Sequence, residues 1–251
     1  MPSSSRHRPR KRFGQHFLHD PRVLARIVDA LDLSSSDFVV EIGPGEGALT
    51  YLLLEKASSI TVVELDRDLA ARLSDDRIKV HAADALELDF AQFPKGMRIV
   101  GNLPYNISTP LLFHLARFAD RVRDMHFMLQ LEVVERMVAA PSTPAYGRLS
   151  VALQARFRMQ KLFNVAKGAF RPPPKVESAV VRLIPLEQPL QIDEALLRQA
   201  FSARRKQLRN ALRIAGEDYA RLGIDPKLRP ENLSPQDYAR LTALRSMNST
   251  L

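Results

Sequence analysis

Residues 38–47 read Phe38-Val39-Val40-Glu41-Ile42-Gly43-Pro44-Gly45-Glu46-Gly47, and the fold turns on how this stretch is read. A β-branched run stopped by glycines is a short buried strand entering a tight turn. Ala48 to Leu54 then suits a helix, so the glycines join a strand to a helix. The spacing Gly43-x-Gly45-x-x-Ala48 satisfies the glycine-rich cofactor fingerprint in its Gly/Ala form. Missing Cβ atoms at such a turn let the backbone pass close to a bound group. A bare strand–helix turn is the plainer explanation. Against it stands Glu64, about twenty positions further on at the end of the next strand, where a carboxylate would accept hydrogen bonds from ribose hydroxyls.

Outward from this turn the chain alternates. Residues 60–64, 78–81, 98–100 and 125–129 are strand-like, 48–54 and 68–73 helix-like, and Val23, Leu24, Ile27, Val28 and Leu31 mark an amphipathic helix before the first strand. Strands separated by helical spacers imply parallel βαβ units, hence an α/β, Rossmann-like doubly wound sheet. Residues 178–184 predict one more strand, an antiparallel edge partner for a segment near 156–163. Pro185 and Pro189 then bracket a linker, after which the pattern is helical. Leu197, Phe201, Leu208 and Leu212 share one face of that helical pattern while Arg198, Arg205 and Arg209 share another. Ser234-Pro235-Gln236-Asp237 reads as the capped start of a last helix. The expected organisation is a basic, disordered arm over residues 1–12, an α/β domain over 13–185, and a small all-helical domain over 186–251.

The 251 residues carry a formal charge of +9, which points to a polyanionic partner. Arg6, Arg8, Arg10, Lys11 and Arg12 form one acid-free cluster, and Arg198, Arg204, Arg205, Lys206, Arg209 and Arg213 another. Two such clusters favour a nucleic-acid backbone over a small anion. There is no cysteine, which excludes disulfides, thiolate zinc sites, iron–sulfur clusters and cysteine nucleophiles, and no metal is expected. No apolar run approaches the ~18 residues of a membrane helix. The start lacks the apolar core of a secretory signal, so a cytoplasmic location is expected.

The loop and Glu64 suit NAD and S-adenosylmethionine equally. Asp84, after the third strand, tips the balance, because its carboxylate could accept from the exocyclic amine of the cofactor's adenine. A helix cap is its plainer role. Glycine loop, acid, acid in strand order is nevertheless the layout of class I S-adenosylmethionine-dependent methyltransferases.

The fourth strand runs into Gly101-Asn102-Leu103-Pro104-Tyr105. An adenine N6 amine is a poor nucleophile because its lone pair is delocalised into the ring. A site helps by accepting both N6 hydrogens and aiming the lone pair at the methyl group. The Asn102 carboxamide oxygen and the Leu103 carbonyl are candidate acceptors, Pro104 stiffens the turn, and Tyr105 offers a face for an extruded base. Alignment is mostly a positioning effect, and no strong general base is needed. Pyrimidine C5 methylation generally needs a cysteine, which the chain lacks.

Residues Phe13–Leu18, Glu41–Gly47, Glu64-Leu65-Asp66, Asp84-Ala85, Gly101–Ser108 and Gly168–Ser178 together resemble the small-subunit ribosomal RNA adenine dimethyltransferases, and the basic stretch Phe201–Leu212 is similar to that family's as well. The resemblance implies dimethylation of N6 on two adjacent adenines near the 3′ end of 16S rRNA. The substrate implied is a partly assembled small ribosomal subunit and the donor S-adenosylmethionine. It further implies that His16, Leu18, Gly43, Glu64, Asp84 and Asn102 contact the cofactor. Tyr105 and Phe170 would stack on opposite faces of the target base, and Arg204, Arg205, Lys206, Arg209 and Arg213 would bind RNA. A monomer is the default. Three alternatives remain at this point: a large-subunit rRNA methyltransferase of the macrolide-resistance type, a non-catalytic RNA-binding or transcription factor on the same scaffold, and an NAD dehydrogenase. The first usually carries Ile in place of Leu103, and the last would leave Asn102–Tyr105 unexplained. A DNA adenine methyltransferase would more often show Asp-Pro-Pro-Tyr.

Overall fold

Short strands of almost wholly buried residues build the centre of the sheet. A computed structural model describes residues 15–212 and 214–248. Its elements begin with β1 (Phe17–Leu18), α1 (Pro21–Leu31), β2 (Val39–Ile42), α2 (Ala48–Leu53), β3 (Ile60–Val63), α3 (Arg67–Ala70), β4 (Ile78–His81), β5 (Met97–Asn102), α4 (Ser108–Leu115) and β6 (Val122–Gln130). They continue with α5 (Leu131–Val138), α6 (Arg148–Gln154), β7 (Phe157–Val165), β8 (Phe170–Arg171), β9 (Ser178–Pro185), α7 (Glu194–Ser202), α8 (Leu208–Ala211), α9 (Gly216–Leu222) and α10 (Pro235–Asn248). The chain divides into two compact units: the first runs to Val134 and resumes over Gln160–Ile184, the second takes Glu135–Met159 and everything from Pro185. The last segment of the second unit begins at Pro185, and residues 135–159, read in sequence as part of the α/β domain, group with it.

The main sheet has seven strands in the order β4-β3-β2-β5-β6-β9-β7. Strands β4, β3, β2, β5 and β6 pair in parallel, whereas β9 runs antiparallel to β6, with Met128 opposite Val180. All four residues of β2 and all four of β3 are buried, the pattern of a parallel strand covered on both faces. Strand order reverses beside β2, since β3 follows on one side and β5 lies on the other. A crevice therefore opens at the carboxyl ends of β2 and β5. The strand over 178–184 does form, but it lies between β6 and β7 rather than only against the 156–163 segment. Sequence alternation carried no sign of the two-residue antiparallel pair β1–β8, which brings Leu18 opposite Phe170.

Helix α1 starts at an Asp20 cap that accepts from the Arg22 and Val23 N–H groups, with Pro21 in the first turn. It buries Leu24, Ile27, Val28 and Leu31 in a core shared with Leu53 and Val62. Each such side chain contributes roughly 1.5–3 kcal/mol of burial.

In the second unit, α7, α9 and α10 enclose buried Tyr146, Leu197, Leu208, Tyr219, Tyr238 and Leu241. The buried Tyr146 and Tyr238 hydroxyls donate to the Leu233 and Pro230 carbonyls at 2.8 and 2.9 Å. The single basic helix expected over 201–212 is a break instead: α7 ends at Ser202 and the single-turn α8 begins at Leu208. Leu197, Leu208 and Leu212 are still buried, because the turn between the helices returns their apolar face to the core.

Candidate active site

The crevice predicted by the strand reversal is a cleft of about 270 Å³ lined by the ends of β2, β3 and β5 and by residues 15–18. The glycine loop shapes one wall. Gly43, Gly45 and Gly47 all have positive φ, at 69°, 58° and 83°, where side chains are rarely tolerated. A Cβ on Gly45 would also sit 2.9 Å from the Phe17 ring. Gly101 is constrained differently: its φ is ordinary, but a Cβ there would clash with the Ile42 carbonyl oxygen. Only a bare backbone lets β5 run this close to the end of β2, and that crowding was invisible in sequence.

Glu64 is 7% exposed and both its oxygens accept backbone N–H groups, from Gly45 at 3.2 Å and Asp66 at 2.9 Å. Burial raises its carboxyl above the ordinary range, and those N–H bonds offset only part of the effect. Asp84 lines the cleft while one oxygen caps its own turn, accepting from Leu86 N–H at 2.9 Å. Capping and ligand contact are therefore compatible for this residue, since the second oxygen is not used in the cap.

Glu41 was quoted in the motif without a role, yet it lines the cleft at 2% exposure. The Thr50 hydroxyl donates to its Oε2 at 2.6 Å. Burial pushes this carboxyl up to about 7, Thr50 opposing and the nearby Glu64 charge reinforcing the shift. An acid inside the otherwise apolar Val39–Ile42 strand was the available signal. Among the described residues the cleft lining holds Glu41, Glu46, Glu64 and Asp84 but no Lys or Arg. Such a lining suits a sulfonium cation and opposes the pyrophosphate of NAD.

At the end of β5 the Asn102 Nδ2 donates to the His16 carbonyl at 2.8 Å. That bond settles which way the amide points, and leaves its oxygen as the uncommitted acceptor. Leu103 follows, buried, with its N–H bonded to the Met128 carbonyl, and Pro104 accepts from Ile107 N–H at 3.2 Å to close the turn. Tyr105 Oη and Ser178 Oγ are hydrogen-bonded at 2.6 Å. Burial pushes the Tyr105 phenol up, with the Ser178 bond opposing, so it is neutral at physiological pH.

His16, Leu18, Gly43, Glu64, Asp84, Asn102, Leu103, Pro104 and Tyr105 thus all line one cleft. Phe170 does not. It is 1% exposed and packs in the core with Leu18, Leu24 and Val28, because the β1–β8 pairing turns it inward. In this structure the Phe170 ring therefore sits in the core and not on the cleft lining where the base was expected. Of the basic residues, Arg204 is bound within its own unit, to Glu231 at 2.6 Å and the Pro144 carbonyl at 2.8 Å. Arg205, Lys206 and Arg209 are exposed, while Arg213 and residues 1–12 lie outside the described residues.

Fold and cleft together define a class I S-adenosylmethionine-dependent methyltransferase. The chain belongs to the ribosomal RNA adenine dimethylase family, whose model matches residues 6–245. It is 56% identical over 248 residues to the ribosomal RNA small subunit methyltransferase A of Nitrosospira multiformis, covering 94% of this chain and 96% of that one. It is 57% identical to the protein of the same name from Aromatoleum aromaticum, covering 95% and 94%. A crystal structure of a dimethyladenosine transferase from Plasmodium falciparum superposes with a TM-score of 0.83 at 27% identity, over 93% of this chain and 98% of that one. The 23S rRNA methyltransferase ErmE superposes with a TM-score of 0.69, also at 27% identity, over 90% and 98%.

Proposed function

We propose that the protein dimethylates N6 of two adjacent adenines near the 3′ end of 16S rRNA. The observation that carries the chemistry is the fixed Asn102 amide, whose nitrogen is held by the His16 carbonyl so that its oxygen is left to accept an N6 hydrogen. The small-subunit substrate is favoured by relatives of that name at 56% and 57% identity, against 27% for the large-subunit enzyme.

In this reading Gly43, Glu64 and Asp84 hold the cofactor, with Leu18 and the residues around it closing one side. When bound, S-adenosylmethionine supplies an electrophilic methyl group. Asn102 and the Leu103 carbonyl accept the two N6 hydrogens and orient the nitrogen lone pair. Tyr105 stacks on the extruded base, a contact worth roughly 1–3 kcal/mol per base. Positioning supplies most of the rate, and the N6 proton leaves to solvent after transfer.

The exposed Arg205, Lys206 and Arg209 contact phosphate, and the substrate is a partly assembled small subunit met in the cytoplasm by a monomer. Arg205→Ala with Arg209→Ala should weaken subunit binding and flatten its dependence on salt, as counterion release requires. An unchanged salt slope would remove both residues from the RNA contact. The decisive experiment supplies methyl-labelled S-adenosylmethionine and small subunits lacking the modification, then identifies the labelled nucleoside. Label in N6,N6-dimethyladenosine of 16S rRNA is expected; label confined to 23S rRNA, or none, refutes the assignment.

A further inference from the structure

His16 makes three contacts, and each bears on the turn that carries Asn102 and Tyr105. Its main-chain carbonyl accepts the Asn102 Nδ2 at 2.8 Å. Its ring stacks on the Tyr105 ring, with centroids 5.5 Å apart and planes inclined by 29°. Its Nδ1 lies 2.8 Å from the Pro172 carbonyl oxygen. A carbonyl only accepts, so Nδ1 carries the hydrogen in that bond. On the sequence side, β1 is tied to β8 through Phe17 opposite Arg171, and His19 N–H donates to the Ala169 carbonyl at 2.9 Å. The segment is therefore anchored along its length to residues 169–172.

A carboxamide rotates between two orientations of similar intrinsic energy, one presenting oxygen and the other nitrogen to the cleft. Presenting nitrogen would set donor against donor at an adenine N6 amine. The His16 carbonyl removes that orientation, provided it stays where it is. The β1–β8 pairing holds the neighbouring main chain, and at residue 16 itself the His16 side chain adds the restraint, pinned by Pro172 on one edge and by the Tyr105 ring on one face. The same stack also restrains Tyr105, whose hydroxyl is held from the other end by Ser178.

We infer that His16 is a positioning residue for methyl transfer, fixing the working orientation of Asn102 and Tyr105, rather than only a contact for the cofactor. The inference rests on the roles proposed above for those two residues. It separates two quantities that a pure cofactor-contact role would move together: turnover should depend on His16 more steeply than affinity for S-adenosylmethionine does.

Three variants test it. His16→Ala removes both anchors, His16→Asn keeps a donor for Pro172, and His16→Phe keeps the ring against Tyr105. His16→Ala should lower kcat on small subunits by roughly 10- to 100-fold, the usual cost of a small misplacement of a catalytic group. The dissociation constant for S-adenosylmethionine, measured by calorimetry on the protein alone, should rise by a clearly smaller factor than kcat falls. His16→Asn and His16→Phe should each recover part of the lost turnover. The side-chain amide signal of Asn102, assigned by its disappearance in Asn102→Ala, should move in the nitrogen–proton spectrum of His16→Ala without any substrate present. An unchanged kcat overturns the inference, and so does a loss of turnover matched by an equal loss of cofactor affinity. Should His16→Ala not fold, turnover below wild type in both other variants at unchanged cofactor affinity carries the inference, and wild-type turnover in both overturns it. Failure of the function assignment would look different, since the wild-type protein itself would then leave small-subunit adenines unmodified.

Discussion

At the amino ends of β5 and β6, the Arg98 guanidinium is 2% exposed and surrounded by acceptors: both oxygens of Asp124 at 2.8 Å, Asp37 at 2.9 Å, and the carbonyls of Leu31 and Asp32. At the carboxyl ends of β2 and β3, Glu41 and Glu64 are buried too, but among the described residues no Lys or Arg lines the cleft with them. Burial tends to push the Asp124 carboxyl up, yet the Arg98 hydrogen bond and the surrounding positive charge outweigh it and hold the group below its ordinary range. Glu41 and Glu64 are compensated only in part, by the Thr50 hydroxyl and by backbone N–H groups, and are shifted upward. One end of the sheet has neutralised its charges internally. The other leaves its acids without a Lys or Arg in the cleft lining among the described residues, an arrangement that suits a cationic ligand.

The comparison can be broken at either end. Arg98→Ala leaves Asp124 buried without its main partner, and should destabilise the protein by about 3–5 kcal/mol in a denaturant titration. A loss under 1 kcal/mol would mean the network is dispensable. Asn102→Ala removes an acceptor at the cleft end and should lower turnover roughly a hundred- to a thousandfold, by analogy with loss of one oriented polar group elsewhere. Its melting temperature should hardly change; near-normal turnover would take Asn102 out of the mechanism.

Glu41→Gln should have the opposite sign on stability. The folded-state value, about 7, lies above the unbound carboxyl's 4.5. Below the lower value both states are protonated and the carboxyl costs nothing. Between about 4.5 and 7 the unfolded chain gives up this proton while the folded protein keeps it, so stability falls across that window and the loss is complete above 7. The cofactor-free variant should therefore be more stable than the parent at pH 8, by something on the order of 1–3 kcal/mol, and equal to it near pH 4.5. A variant less stable at pH 8 would show that Glu41 is compensated after all. The smallest effect is expected for Arg123→Ala. Arg123 pairs with Asp37 at 2.7 Å, but its side chain is 59% exposed. Such a pair contributes about 0–1 kcal/mol, and less in high salt.

Local chemistry was enough to read the strand–glycine–helix turn, the acids after the second and third strands, and the Asn102–Tyr105 turn. Each is a short contiguous pattern whose meaning depends on residues a few positions away. The amphipathic α1 was legible for the same reason, its apolar positions recurring at helical spacing. Phe170 shows where that reasoning stops. An aromatic beside a proline run reads the same whether it faces a ligand or the core, and only the β1–β8 pairing turns it inward. The break between α7 and α8 is similar, since a continuous apolar stripe is compatible with one helix or with two that fold back on the same core.

By itself, then, the sequence determined the class of sheet, the order of the cleft-lining groups along its strands and the form of the turn after β5, because these follow from backbone preferences and residue chemistry within short windows. Only the tertiary structure decided that Gly101 must lack a side chain, that the Asn102 nitrogen is held by the His16 carbonyl, and that Glu41 is a buried acid with no Lys or Arg beside it in the cleft among the described residues. Those three depend on what lies across a strand or on a segment 86 positions away, as between His16 and Asn102, and a distance in space has no signature in the local chain.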